Sequence, residues 1–303
     1  MTIIGFELVA WATLLAAGID VYFQGSIYAV GVAFSLCSWI ALTQSWSLFS
    51  AMTGYVSLGH VVFYGLGAYV TVLLFNGAPL PLALVASAAA AIAFAVGIGL
   101  PVLRVRGPYF VILSFGLAEL VKNLVILNEN RIGQFSRVLF GVPDLTDLYA
   151  IMLGLAIVAT LLAWLVRRSR FGAGLRAIRE DEVAAETIGV PTIRLKLMAF
   201  VLSAGIPGVA GGLAALRTSY FEPSTFFDPA VSFSIVTMAI IGGDEDARGP
   251  VIGSLAFALL SELLWARLPE IYYILLGAVL IGFILFVPGG LSGLLPARTA
   301  VRR

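Results

Sequence analysis

The stretch RRSRFGAGLRAIREDEVAAETIGVPTIR, from Arg167 to Arg194, divides the chain and decides how the rest of it is organised. Of the 18 basic and 17 acidic residues of the protein, ten fall within these twenty-eight positions. The sequence on both sides is apolar for about the length of a membrane span, roughly 20 residues. The charged stretch therefore lies in water between two membrane-embedded regions.

Part of this stretch, GLRAIREDEVAAETI, has the composition of a helix. It contains no Pro, is rich in Ala, Glu and Arg, and is followed by Gly189 and then Pro191. The spacing lets Arg176 meet Glu180, and Arg179 meet Glu182, on one helix surface, at about 0.2–0.5 kcal/mol per pair.

Two interpretations of the helix remain open. It is either a basic loop that only fixes orientation, or a docking helix that offers a small apolar surface to a partner. The second interpretation explains the apolar residues among the charges, which are Leu175, Ile178, Ala184, Ala185 and Ile188.

The composition is that of a polytopic membrane protein. Sixty per cent of the residues are hydrophobic and 12% are charged, against about 25% charged in soluble domains, and the mean hydropathy is +1.03. Cys37 is the only cysteine and His60 the only histidine, so no internal disulfide and no metal site is expected. The first apolar run lacks a basic flank and carries Glu7, which predicts a retained helix rather than a signal peptide.

The sequence predicts an all-α bundle of about ten spans in a single domain, residues 1–303. The apolar segments are 3–18, 25–49, 59–75, 79–102, 107–127, 148–166, 196–218, 228–242, 250–266 and 270–287. Segments of fifteen to seventeen residues are short for a bilayer, so some spans are expected to be broken or re-entrant. Basic residues then divide thirteen inside to three outside, which places both termini in the cytoplasm.

Motifs for enzymatic chemistry are missing from the sequence. Neither lysine, Lys122 or Lys196, follows a glycine loop, so the chain has no phosphate-binding loop for ATP. It also has no HExxH motif and no G-x-S-x-G elbow. We therefore expect neither hydrolase activity nor a directly bound cofactor.

Polar residues in or beside the apolar segments are candidates for a translocation path, because ionisable groups inside a membrane are costly. The candidates are Ser57, His60, Ser114, Glu119 and Lys122. Glu119 and Lys122 lie three apart and are expected to neutralise each other, and His60 is expected to serve helix packing. The many glycines between Gly54 and Gly67 predict close helix contacts, with an unwound break as the alternative.

Several separate strings give the chain a resemblance to a known family. GYVSLGHVVFYGLGAYV, GPYFVILSFGLAELV, LRAIREDEVAAETIGV, LMAFVLSAGIPGVAGGLAAL, IIGGDEDARGPVIGSLAF and VPGGLSGLL occur in the order seen in permease subunits of branched-chain amino acid ABC transporters. The resemblance runs from about residue 30 to 295 and is greatest to the LivM-type subunit.

The resemblance implies that the segment 167–194 is a coupling segment, which sits in a cleft of a separate ATPase subunit. It implies these contact residues: Arg176, Ala177, Arg179, Glu180, Glu182, Ala184, Ala185 and Gly189. The usual motif has Glu directly before its two alanines, whereas this chain has Val183 there.

The resemblance also implies the assembly: a second, similar permease subunit, two ATPase subunits that use ATP, an external solute-binding protein and a bacterial inner membrane, with no nucleic acid. Leucine, isoleucine and valine, other amino acids, urea and amides remain open as solutes. The main alternative function is an ion-coupled secondary transporter, for which the sequence offers few ion ligands inside the spans.

Overall fold

The computed structural model describes residues 26–133, 136–243 and 246–267, with the isolated residues Ile274, Gly277, Ala278, Ile281, Gly282, Gly290 and Leu291. The predicted first segment, 3–18, and nearly all of the last, 270–287, lie outside the described residues.

The described residues form helices joined by short loops, with one small strand pair. The helices are α1 (Ile27–Trp46, continued by a π-helical turn at Ser47–Ala51), α2 (His60–Leu74), α3 (Leu80–Val102), α4 (Pro108–Ile132), α5 (Leu145–Arg168), α6 (Arg170–Glu180), α7 (Glu182–Thr187), α8 (Thr192–Thr218), α9 (Pro223–Phe226), α10 (Pro229–Gly242) and α11 (Arg248–Arg267). The strands β1 (Arg137–Val138) and β2 (Tyr220–Phe221) pair in antiparallel register.

Six helical stretches are long and apolar enough to cross a membrane. They are Ile27–Ala51, Leu80–Val102, Pro108–Ile132, Leu145–Arg168, Thr192–Thr218 and Pro223–Gly242. The structure therefore confirms an all-helical, multi-span membrane protein. Within the described residues, the predicted apolar segments coincide with observed helices, because a chain in lipid must satisfy its backbone hydrogen bonds internally.

Two opposite ends of the bundle can be defined from contacts. Helix α8 starts beside α6 and α7, and we call this end of the bundle the coupling end. It finishes at β2, and we call the end that holds the β1–β2 strand pair the ladder end. Gly31, near the start of α1, lies beside Leu145 and Arg217 at the ladder end. Twenty-seven residues of α8 rise about 40 Å, enough to separate these ends by a bilayer.

One membrane crossing is broken. After the π-helical turn the chain reverses at Gly54, whose φ of +78° favours glycine. It then runs without helix to His60, which faces Ser203, eleven residues into α8. That is about 16 Å from the start of α8, so α2 begins inside the bundle. The helix of the short apolar segment 59–75 thus starts partway along the bundle.

Glycines allow helices α2, α3 and α8 to approach very closely. A Cβ on Gly67 would lie 1.9 Å from the carbonyl oxygen of Gly208, and one on Gly211 would lie 1.9 Å from that of Tyr64. At both positions the neighbouring helix leaves room for the hydrogen atom of glycine but not for a Cβ atom. The predicted packing role of the glycine-rich stretch is confirmed at Gly67, since lipid offers no hydrophobic drive between helices.

Candidate functional site

The coupling segment is two helices, and the prediction of one continuous helix was wrong. Asp181 is extended, with φ −156° and ψ 110°, and its carboxylate accepts hydrogen bonds from the backbone of Val183 at 2.8 Å and Ala184 at 3.0 Å. Asp181 thus caps α7 and ends α6, because a short acidic side chain competes with the helix for backbone donors.

The predicted pairs on the helix surface are replaced by other contacts. Arg176 Nη1 donates to the carbonyl oxygen of Arg167 at 2.7 Å. Glu182 lies past the break and faces the bundle, where it meets Lys196 and Arg106 rather than Arg179. The break therefore changes which face each charge occupies.

Much of the predicted apolar docking face belongs to the core of this chain. Leu175, Ile178 and Ala185 are buried, whereas Val183, Ala184 and Ile188 are exposed. Of the implied contact residues, Arg176, Arg179, Glu180, Ala184 and Gly189 are exposed, Ala177 and Glu182 are half-buried and Ala185 is buried. The surface open to a partner is thus the exposed face of α6 and the tip of α7.

A buried ion pair fastens α7 to the bundle. Lys196, with 1% of its side chain exposed, lies 2.7 Å from Glu182 Oε1, and the Tyr55 hydroxyl donates to Glu182 Oε2. Lys196 Nζ also donates to the Tyr55 hydroxyl at 3.2 Å and to the carbonyl oxygen of Leu103 at 3.3 Å. We call Lys196, Glu182 and Tyr55 the latch.

The electrostatics of the latch keep Glu182 ionised. Burial alone would raise the pKa of this carboxyl. Hydrogen bonds from Lys196 and Tyr55, with the positive charges of Lys196 and Arg106, outweigh burial and hold its pKa below the usual value. A buried lysine is thus paired with a carboxylate that stays charged at neutral pH.

Two arginines fasten the same segment to the end of α1. Arg167 Nη2 donates to Ser47 Oγ at 2.7 Å, and Arg179 Nη1 donates to the carbonyl oxygen of Ala51 at 2.8 Å. Ser47 and Ala51 bound the π-helical turn. With Tyr55, these contacts join the coupling segment to the chain immediately before and within the broken crossing.

The backbone of the broken crossing is held by serine side chains from other helices. Leu58 donates its N–H to Ser114 Oγ at 3.1 Å, and its carbonyl oxygen accepts from Ser232 Oγ at 2.8 Å. The Ser57 carbonyl accepts from Trp46 Nε1 at 2.8 Å. Unwound backbone inside a membrane requires such partners.

Three of the five path candidates meet at this break. Ser57 and Ser114 bind or flank Leu58, and His60 is buried with Nδ1 3.1 Å from Ser57 Oγ and Nε2 3.4 Å from Ser203 Oγ. His60 also packs against the rings of Phe49, Phe63 and Phe200, which agrees with its expected packing role.

The remaining two candidates pair with each other elsewhere on α4. Glu119 and Lys122 form an ion pair at 2.8 Å, and both side chains are half-buried. The expected pairing is therefore present.

The latch residues were missed as a group by the sequence analysis. Lys196 was mentioned only for its lack of a glycine loop, and Tyr55 and Arg106 had no assigned role. The available signal was the position of Lys196 at the first residue of a predicted apolar segment.

Comparison with known proteins agrees with this architecture. The family described as branched-chain amino acid transport system, permease component, matches residues 10–284. The high-affinity branched-chain amino acid transport system permease protein LivM of Salmonella typhimurium is 28% identical over 93% of this chain and 72% of its own length. LivM of Escherichia coli is 26% identical with the same coverage.

A third relative is similar over the same share of this chain, and solved structures contribute nothing further. The probable branched-chain amino acid transport permease protein LivH of Methanocaldococcus jannaschii is 27% identical over 93% of this chain and 85% of its own length. No solved structure gives a significant match. Since the family matches far more than half of the residues, this chain belongs to the permease components of branched-chain amino acid transport systems.

Proposed function

We propose that this chain is the membrane-spanning permease subunit of an importer that moves branched-chain or related amino acids across the bacterial inner membrane. ATP is hydrolysed by two partner subunits, a binding protein delivers the solute, and a second, similar permease subunit completes the path. Membership of the family supports this function over an ion-coupled transporter.

The single observation that carries the proposal is the attachment of the coupling segment to the broken crossing. A partner that displaces α6 and α7 pulls on Ser47 and Ala51 through the arginines, and on Tyr55 through the latch. Those residues lead directly into the unwound chain at Leu58. Movement at the cytoplasmic end is thereby transferred to backbone groups inside the membrane.

The orientation that we infer places the coupling end in the cytoplasm and the ladder end outside. The basic residues Arg104 and Arg106 accompany the coupling segment at the coupling end, as expected for the cytoplasmic face. The ten spans and cytoplasmic termini of the sequence analysis are consistent with this orientation.

The docking role is tested on the exposed tip of α7. Val183 and Ile188 are 58% and 77% exposed, and neither is buried in the chain's own core. We expect Val183→Asp with Ile188→Asp to abolish co-purification of the ATPase subunits and uptake, at a normal level of inserted protein.

The control is Phe140→Asp, an equally exposed apolar residue at the ladder end. It introduces one negative charge, as each of the two test substitutions does, and should leave co-purification of the ATPase subunits unchanged. Retention of the ATPase subunits by the double variant would contradict the docking role.

A further inference from the structure

A cavity at the ladder end lies outside everything assigned above. It has a volume of about 210 Å³ and lies between α1 and α11. Its walls are Val32, Leu36, Trp39 and Ala258, with Ser35, Ser261 and Glu262 supplying polar groups. An engineered cavity of roughly 150 Å³ holds a benzene molecule, so this one has room for a small amino acid.

A carboxylate stands at one side of this cavity. Glu262 is exposed, and its Oε1 accepts a hydrogen bond from the Tyr28 hydroxyl at 3.0 Å. The pairing of Glu262 with Arg267 that its position suggests falls on a side chain outside the described part of the chain. Glu262 has lone pairs beyond the one that Tyr28 occupies, which leaves it able to accept from an ammonium group.

A guanidinium group lies beside the same cavity. Arg217 Nη1 donates to Ser35 Oγ at 2.7 Å, and the guanidinium carbon lies 4.9 Å from the centre of the Phe34 ring. Both contacts fix its direction, and four of its five N–H donors remain after the bond to Ser35. Among the described residues, Arg217 bonds to Ser35 and Glu262 bonds to Tyr28, and no ion pair joins Arg217 to Glu262.

Two opposite charges beside a cavity with both apolar and polar walls match one class of ligand. A zwitterion can place its carboxylate on Arg217 and its ammonium on Glu262, and the walls then face an apolar side chain. We infer that this cavity is a binding site for a zwitterionic amino acid with an apolar side chain. The inference rests on the proposed function, in which the ladder end receives the delivered solute.

The headgroup of phosphatidylethanolamine carries the same pair of charges, so the test must separate the two sources. Full-length protein is purified with its co-purifying subunits into nanodiscs of phosphatidylcholine, without binding protein. Binding of radiolabelled leucine is then measured against competing leucine, leucinamide, which lacks the carboxylate, and 4-methylpentanoate, which lacks the ammonium.

The wild type should bind leucine about tenfold to a hundredfold more tightly than either analogue, since each analogue loses one charged contact. Arg217→Gln should lower the affinity for leucine to the affinity that the wild type has for leucinamide. Glu262→Gln should lower it to the affinity that the wild type has for 4-methylpentanoate. The matched controls Arg131→Gln and Glu222→Gln, at the same end but away from the cavity, should keep the wild-type preference.

Several results would overturn the site. These are the absence of leucine binding to the wild type, unchanged discrimination in both cavity variants, or discrimination that appears only with phosphatidylethanolamine present. Folding of each variant is checked by its melting temperature, and Glu262→Asp, which keeps the charge, should keep the preference over 4-methylpentanoate. ATP-driven leucine uptake by the wild type is measured in parallel. Absence of this uptake would contradict the proposed function, whereas absence of leucine binding alone would contradict only the cavity site.

Discussion

At the level of single residues, the most consequential side chain is Lys196, because it is a buried cation inside an apolar helix. Its charge is balanced by Glu182, and its protons are shared between that carboxylate, Tyr55 and the carbonyl of Leu103. Removing one partner of such a pair leaves the other charged and desolvated, which costs about 3–5 kcal/mol. The pair therefore holds α7 in place more strongly than surface charges would.

Glu182→Gln should lower the melting temperature of the purified protein markedly, because it leaves the ammonium of Lys196 buried without a carboxylate. Glu180→Gln is the matched control, because Glu180 lies two positions before Glu182 and is exposed. Substitutions of exposed residues usually change the free energy of unfolding by no more than about 0.5 kcal/mol. Lys196→Met added to Glu182→Gln should recover part of the loss. Equal melting temperatures for the two single variants would rule out a stabilising latch.

The latch also predicts a pH dependence. The folded pKa of Glu182 is lowered, so the unfolded chain takes up the proton first as the pH falls. The stability that the pair supplies is complete above the ordinary carboxyl pKa of about 4.3 and is lost as the pH falls through the lowered value. The difference in melting temperature between wild type and Glu182→Gln should shrink in that range, and a constant difference would contradict the assignment.

The sequence could not reveal the latch, although it contains every residue of it. Tyr55, Arg106 and Lys196 are far apart in the chain, and only the fold places them around Glu182. Of the five residues predicted to line a path, Ser57, His60 and Ser114 lie together at the break, whereas Glu119 and Lys122 pair elsewhere on α4. The hydrogen bonds of Ser114 and Ser232 to the backbone of Leu58 could not be predicted, because an apolar residue such as Leu58 gives no sign in the sequence that its backbone needs partners.

At the level of elements, long apolar runs were predictable and short polar ones were not. The predicted segment 79–102 is observed as Leu80–Val102, and 148–166 as Leu145–Arg168, because lipid forces such runs to be helical. The break at Asp181 was missed, since the propensities of Ala, Glu and Arg favour continuation. The cap that Asp181 forms with Val183 and Ala184 outweighs that propensity.

The contact between α2 and α8 predicts a strong effect of a single methyl group. Gly67→Ala would place its Cβ 1.9 Å from the carbonyl oxygen of Gly208, so the helices must separate. The cost should exceed the roughly 1–3 kcal/mol of overpacked side chains, because backbone cannot rotate away. Gly97→Ala in α3, where a Cβ meets no atom within 4 Å, should be neutral or stabilising in the same thermal melt.

The serines around Leu58 make a second prediction for an element. Ser114→Ala with Ser232→Ala leaves the N–H and C=O of Leu58 without their partners, at about 1–3 kcal/mol for each group. We expect lower thermal stability and reduced uptake at equal protein level. Ser87→Ala is the control, because that buried hydroxyl bonds to Leu84 in its own helix; an equal loss in the control would show that the break is not what these serines support.

At the level of the whole molecule, the two ends differ in both charge and construction. The coupling end carries α6 and α7 with their many arginines, whereas the ladder end is closed by β1 and β2 and by the bidentate contact of Arg137 with Glu129 at 2.8 and 2.9 Å. That contact raises the pKa of Arg137 and ties the loop after α4 to the helix itself. Under the proposed function, force enters at the coupling end, and the ladder end is braced by this contact.

The orientation of these ends can be measured with single cysteines. Cys37 is the only cysteine and is buried, so Cys37→Ser provides a background without thiols. On that background Phe140→Cys and Ile188→Cys place exposed thiols at the ladder end and the coupling end. A membrane-impermeant maleimide applied to intact cells should label Phe140→Cys, and it should label Ile188→Cys only after permeabilisation.

This outcome follows from the cost of moving charge across a membrane, which retains segments rich in Lys and Arg in the cytoplasm. The coupling segment contains six arginines. The ladder end carries fewer described basic residues, among them Arg131, Arg137 and Arg217, and α11 also ends there at Arg267. Labelling of Ile188→Cys from outside would show that the inferred orientation is the wrong way round. Helix α8 joins the two ends without interruption, so the ladder end would then lie in the cytoplasm. The ATPase contact, the receiving face and the amino-acid cavity would then all lie on the wrong sides, so this one measurement tests the assembly as a unit.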